Sequence, residues 1–159
     1  MTKDKVCLII NPISGTESKK NIPEEVAAAI DQKKQDLIIR ITGYPKHATE
    51  IARQAAKDKY KYVIAAGGDG TVNEIARGLV NTNTTLGILP LGSGNGLARD
   101  LGIPIDIEKA LKIILNEYIR KIDYGIANER IFFCTCGLGF DAFVSGKFAE
   151  ERKRGPLGY

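Results

Sequence analysis

The stretch Gly67-Gly68-Asp69-Gly70-Thr71 sets three glycines around one carboxylate, directly ahead of Val72, Ile75, Ala76, Leu79 and Val80 at helical spacing. Glycine permits positive φ and removes the Cβ that would hold an anion away from the main chain. A helix that starts there offers amide groups with no intrahelical partner and the positive end of its dipole. The chemistry implied is phosphate binding on bare backbone. Thr71 and Glu74 have capping-box spacing, so the helix is expected to open at Thr71. Asp69 is the odd member: a carboxylate facing phosphates repels them unless a cation lies between. It is therefore expected to be the catalytic acidic group, acting through Mg²⁺ or ordered water.

Two further loops have similar character. Asn11-Pro12-Ile13-Ser14-Gly15 follows the apolar run Val6 to Ile10, and Ser14 with Glu17 again has capping-box spacing. Pro90-Leu91-Gly92-Ser93-Gly94-Asn95-Gly96 follows Leu86 to Leu89 and feeds a short helical segment, Leu97 to Leu101. Three loops that expose backbone at successive strand ends point to one crevice, which is a stronger signal than any of them alone. The chain contains no G-x-x-x-x-G-K-[ST], and no G-x-G-x-x-G follows a strand, so a P-loop site and dinucleotide hydride chemistry are both disfavoured.

The elements that must position these loops follow from hydrophobic spacing. Val6 to Ile10, Leu37 to Ile39, Tyr62 to Ala66 and Leu86 to Leu89 are short aliphatic runs with little alternation, as in strands covered on both faces. Between them, helical spacing links Ile22, Val26, Ala29 and Ile30, then Ala48, Ile51, Ala52 and Ala55, and later Ile107, Ala110, Leu111 and Ile114. Alternating β and α predicts an α/β fold: a parallel Rossmann-like sheet flanked by helices, with ligands beyond the carboxyl ends of the strands. After Pro104 the pattern changes. Ile119 to Ala127 and Ile131 to Cys136 read as an antiparallel hairpin turning around Asn128-Glu129-Arg130, and Ala142 to Arg154 reads as helical.

In order, the chain carries Asn11-Pro12-x-Ser14-Gly15, Gly67-Gly68-Asp69-Gly70-Thr71-Val72-Asn73-Glu74, Leu89-Pro90-Leu91-Gly92-Ser93-Gly94-Asn95 with Leu97-Ala98-Arg99, Asp123-x-Gly125, and Gly137-Leu138-Gly139-Phe140-Asp141. This series resembles the diacylglycerol kinase catalytic family of lipid kinases, which shares its fold with NAD kinases, and the resemblance covers nearly the whole chain. It implies a two-domain enzyme that transfers the γ-phosphoryl of ATP, with Mg²⁺, to the primary hydroxyl of a lipid alcohol. By the same resemblance, the nucleotide would rest on Asn11, Pro12, Ser14, Gly15, Thr42, Gly67, Gly68, Asp69, Gly70, Thr71, Asn73, Glu74, Ser93 and Asn95. Asp69 and Asp123 would belong to the metal and water network. Two positions depart from the family's usual pattern: Ser93 stands where Thr is common, and Gly96 where Asp is common. The resemblance further implies that residues 1–127 are the nucleotide-binding domain and that 128–159 begin a β-rich lipid-binding domain. The chain is then expected to stop short of the general base, so that it binds nucleotide but phosphorylates poorly.

The bulk numbers constrain the rest. A 159-residue chain that is 43% hydrophobic can bury a core without staples, and its formal charge of +4 favours anionic partners without selecting one. The expected partners are a nucleotide, a lipid alcohol and peripheral contact with a membrane surface, with no nucleic acid and a possible homo-oligomer. A cytoplasmic location is expected, since Val6 to Ile10 is too short to span a bilayer. Lys147 to Arg154 could dock on anionic lipid, although Glu150 and Glu151 dilute it and favour a solvated helix face. Cys7, Cys134 and Cys136 are expected to be buried reduced thiols, and with His47 as the only histidine a histidine-based metal site is disfavoured. Two other functions fit parts of the pattern. NAD kinase matches Gly67 to Thr71 and the fold, but accounts less well for Asn73-Glu74 and the Gly92 to Arg99 loop. A non-catalytic nucleotide-binding module would leave Asp69 without a purpose.

Overall fold

The computed structural model describes residues 3–13, 21–31 and 34–150, with side chains to Lys147. The elements run β1 (Asp4–Ile10), α1 (Ile22–Ala29), β2 (Gln35–Ile41), α2 (His47–Lys57), β3 (Tyr62–Gly67), α3 (Asp69–Leu79), β4 (Thr85–Pro90), α4 (Gly96–Asp100) and α5 (Ile107–Leu115). A short hairpin, β5 (Gly125–Ala127) and β6 (Arg130–Phe132), and a helix, α6 (Phe140–Glu150), follow. The first four strands form one parallel sheet in the order β2-β1-β3-β4.

That order decides where a ligand can enter. The chain steps from β1 outward to β2, then returns across β1 to lay down β3 and β4 on the other side. Successive crossovers therefore leave in opposite directions at the β1/β3 boundary, and a crevice opens beyond the carboxyl ends of those two strands. The register sets Ile10 level with Ile41 and Ala66, and Gly67 level with Pro90, so the four strand ends stop along one edge.

The period-2 geometry of β1 splits the core into two layers. Cys7 and Ile9 face α2 and α3, packing with Ala48, Ala52, Val72 and Ile75. Val6, Leu8 and Ile10 face α1 and α5, packing with Ile22, Val26, Ala110 and Leu111. On the first side, α2 and α3 approach closely because Gly78 has no side chain: a Cβ there would lie 2.8 Å from both Ala52 Cβ and the Thr49 carbonyl oxygen. The Thr49 hydroxyl donates across the same seam to the Glu74 carbonyl at 2.7 Å. This seam fixes the axis of α3, and with it the direction in which the helix's first turn points.

The structure corrects three of the expectations. The edge strand β2 is only partly covered, and Ile41 at its end is 63% exposed. Leu37 and Ile39 pack against the layer that α1 and α5 cover, so the apolar run reports cover on that face. The hairpin forms where expected but is shorter, three residues a strand, and residues 118–124 ahead of it have no regular structure. Its turn is Asn128-Glu129, both residues at positive φ (45° and 64°), the conformation that tight two-residue hairpins require. Of the cysteines, only Cys7 is buried. Cys134 and Cys136 are exposed, although Phe133 between β6 and Cys134 is buried in the layer that α2 and α3 cover.

Candidate nucleotide site at the strand switch

Main chain builds the centre of the crevice. Gly68 is the N-cap of α3, in extended conformation (φ −89°, ψ −172°), and the helix starts at Asp69. Its N-cap therefore lies three residues earlier than the Thr71–Glu74 pattern implies, and Thr71 lies inside the first turn. Its buried hydroxyl accepts a hydrogen bond from Asn11 Nδ2 at 3.2 Å, which ties the β1 loop to the β3 turn directly across the switch point. Asn11 Oδ1 in turn accepts from Ile13 N at 3.1 Å, folding the loop after β1 back on itself.

None of Gly67, Gly68 and Gly70 adopts positive φ. They serve close approach instead. A Cβ at Gly67 would lie 2.6 Å from Thr71 Cβ, and one at Gly92 would lie 2.6 Å from Gly68 Cα. The bends after β3 and β4 thus touch main chain to main chain, a contact that side chains on either residue would force apart. Gly92 is held there by Asn95, whose Oδ1 accepts from Gly92 N at 2.9 Å and whose Nδ2 donates to Gly92 O at 2.7 Å. Asn95 is buried and left-handed (φ 51°), a conformation asparagine tolerates better than most residues. With its amide engaged inside its own loop, Asn95 shapes that loop.

Asp69 is exposed at the first position of α3, and its Oδ1 accepts from Gly96 N at 2.7 Å. This contact went unseen in the sequence, where Gly96 registers only as a missing acid. Here its amide serves Asp69, and a Cβ at 96 would make only ordinary contact with Asp69 Oδ1, 3.6 Å away. The other carboxylate oxygen of Asp69 has no hydrogen bond among the described residues, and it lies with Gly70 at the exposed first turn.

The remaining expected residues fall as follows. Thr42, half-buried, continues from β2 and donates its amide to Ile10 O at 2.9 Å, so it joins the row of strand ends. Pro12 is exposed in the β1 loop and Ser93 half-buried in the β4 loop. Ser14 and Gly15, with the Ser14–Glu17 pattern, lie outside the described residues. Asn73 and Glu74 are half-buried in α3. Glu74 contributes its carbonyl to the helix seam, and Asn73 Oδ1 is buried with no donor among the described residues. Asp123 is exposed in the segment ahead of β5. Among the described residues no group of three or more His, Cys, Asp or Glu side chains is placed to cage a metal.

The family model described as "Diacylglycerol kinase catalytic domain" matches residues 5–127, which include every strand end of the crevice. The chain belongs to the diacylglycerol kinase catalytic domain family. Among its relatives, "Diacylglycerol kinase" of Bacillus subtilis is 38% identical over 135 residues, 83% of this chain and 45% of the relative. "Probable lipid kinase YegS-like" of Pseudomonas aeruginosa is 34% identical over 159 residues, 97% of this chain and 50% of the relative. A crystal structure of a diacylglycerol kinase from Bacillus anthracis matches with a TM-score of 0.70 at 35% identity, covering 83% of this chain and 46% of the other. This family member thus spans about half the length of the curated relatives it matches. Among its described residues, no helix is long and apolar enough to cross a membrane.

Proposed function

We propose that this chain is the ATP-binding part of a lipid kinase that transfers the γ-phosphoryl group of ATP to the primary hydroxyl of a diacylglycerol-like lipid. The observation that carries the proposal is the meeting of the Gly68 and Gly92 main chains beyond the ends of β3 and β4, beside the open first turn of α3. There the unpartnered N–H groups of α3 and the helix dipole receive the phosphates. Thr71, pinned by Asn11, fixes the floor of the turn, and the orphaned Asn73 Oδ1 fits a ligand N–H or O–H donor.

A carboxylate with a free oxygen suits Mg²⁺. That ion keeps several waters and is usually held by one or two carboxylates together with substrate phosphates. Asp69 would hold it here, oriented by Gly96 N, with Asp123 contributing through water. When bound, the ion would supply charge neutralisation at the transferring group; the chain's own residues bind, align and screen the phosphates, which is most of what phosphoryl transfer asks of a protein. The general base and the lipid pocket are assigned to the remainder of a protein about twice this length, acting at a cytoplasmic membrane surface. The division is drawn between residues 1–127 and 128–159, which the family match over residues 5–127 supports, although β5 and β6 pair across it.

Calorimetric titration with ADP and Mg²⁺ tests the site, comparing the chain with Gly68→Asp, whose Cβ would stand 3.1 Å from Gly92 Cα, so that the variant spreads the two bends and sets a negative charge beside them. Saturable binding lost in the variant is expected, and equal affinity would refute the assignment. With the full-length protein, product from diacylglycerol and none from NAD is expected; the reverse would favour NAD kinase. Nucleotide binding with no product from any lipid alcohol would leave a non-catalytic module.

A further inference from the structure

A pocket of about 580 Å³ opens between α3 and the hairpin, and none of its lining residues is among those assigned to the nucleotide crevice. Two of its lining residues are arginines from different elements, Arg77 on α3 and Arg130 on β6, and much of the remaining wall is apolar, including Ile131, Phe132 and Leu138. The Nε of Arg77 donates to Ile131 O at 2.8 Å, which sets the plane of that guanidinium and leaves its terminal nitrogens for another acceptor. Among the described residues neither arginine is in an ion pair; the four pairs found there all involve lysines.

Two uncompensated guanidinium groups on one cavity repel each other and raise the local positive potential, which an anion relieves. A guanidinium fixed through Nε presents a fork suited to phosphate or carboxylate oxygens. A fully hydrated anion would gain little from the apolar wall, and an uncharged lipid little from the arginines. The volume is within the range of small-molecule sites. We infer that this pocket binds a single-chain anionic amphiphile, its phosphate head on Arg77 and Arg130 and its alkyl chain along Ile131, Phe132 and Leu138. This site is distinct from the nucleotide crevice and does not depend on the kinase assignment.

The test is calorimetric titration of the chain with dodecyl phosphate below its micellar concentration, in parallel with inorganic phosphate and the uncharged amphiphile octyl glucoside. Saturable binding of one dodecyl phosphate is expected, weakened roughly tenfold or more in Arg130→Gln, since that substitution removes a charge-assisted contact from an exposed residue. Arg77→Lys, which keeps the charge but loses the fork, should weaken it as well. Equal affinity for inorganic phosphate or for octyl glucoside would overturn the proposal, as would unchanged binding in Arg130→Gln. Repeating the titration with excess ADP separates the two sites. Unaltered affinity is expected, and displacement by ADP would move the amphiphile to the α3 turn and end the proposal.

Discussion

Gly92→Ala probes the contact on which the crevice depends. The added Cβ would stand 2.6 Å from Gly68 Cα and 2.9 Å from Asn95 Oδ1. Carbon atoms rest about 3.5–4.0 Å apart, so the bends after β3 and β4 must separate by roughly 1 Å. Neither neighbour yields easily: one is main chain, and the other is the amide that braces the β4 loop. Overpacking of this kind costs about 1–3 kcal/mol. For a domain of this size each kcal/mol lowers Tm by about 2–4 °C, so a fall of roughly 2–12 °C is expected. If phosphates rest on these bends, ADP affinity should also fall, by about tenfold or more, as amide contacts are displaced. Gly70→Ala is the control. Its Cβ meets nothing within 4 Å, and alanine favours the helix by about 0.5–1 kcal/mol, so Tm should hold or rise. Differential scanning calorimetry with ADP titration reads both effects. An unchanged Tm in Gly92→Ala would refute the packing argument, and a lowered Tm with undiminished ADP affinity would refute the placement of the phosphates.

Thr71→Val, which keeps the buried shape but removes the acceptor for Asn11 Nδ2, should destabilise by about 0.5–1.5 kcal/mol in urea titration, whereas Thr71→Ser should stay near the parent. Lys61 donates to Asp4 at 2.8 Å and to Glu117 at 2.7 Å; these bonds hold the lysine above its ordinary 10.5, and the one to Lys61 holds Glu117 below its ordinary 4.5. The Glu117 contribution is present above 4.5 and lost as pH falls through the lowered value, while that of Lys61 is present below 10.5 and lost as pH rises through the raised one. The gap in urea midpoint between the chain and Lys61→Met should therefore be level between those limits, close outside them and shrink with salt; a gap constant into acid would contradict this. Burial pushes the Cys7 thiol up to about 11, so a thiol reagent should modify Cys134 and Cys136 in the native chain and reach Cys7 only on unfolding. Fast native labelling of Cys7, followed by mass spectrometry of its peptide, would be inconsistent with the β1 packing.

Much of the frame was legible because burial leaves a period in the sequence. The runs at β1, β3 and β4 and the spacing on α2, α3 and α5 give an alternating β/α chain, and the glycines mark which strand ends expose backbone. What sequence spacing could not carry is anything set by two segments far apart in the chain. The order β2-β1-β3-β4 arises from the return across β1, and it alone puts Asn11 against Thr71. The Gly68–Gly92 approach and the Gly96–Asp69 bond join loops more than twenty residues apart, so Gly92 reads as one loop glycine among several, and Gly96 as a lost charge. Local pattern also misled at the start of α3. Thr71 and Glu74 match a cap in spacing, but the hydroxyl is taken by Asn11, and Gly68 begins the helix instead. Cys134 and Cys136 were misjudged for a related reason: an apolar neighbourhood in sequence does not ensure cover in space.

The Arg77–Ile131 bond has a mechanical consequence. Helix α3 is an eleven-residue rod, about 16 Å long, pinned at its first turn by Asn11 and near its far end by the hairpin. A rod fixed at both ends transmits torque. Because the seam with α2 grips the rod between those pins, a load on the hairpin is shared with α2 before it reaches the first turn.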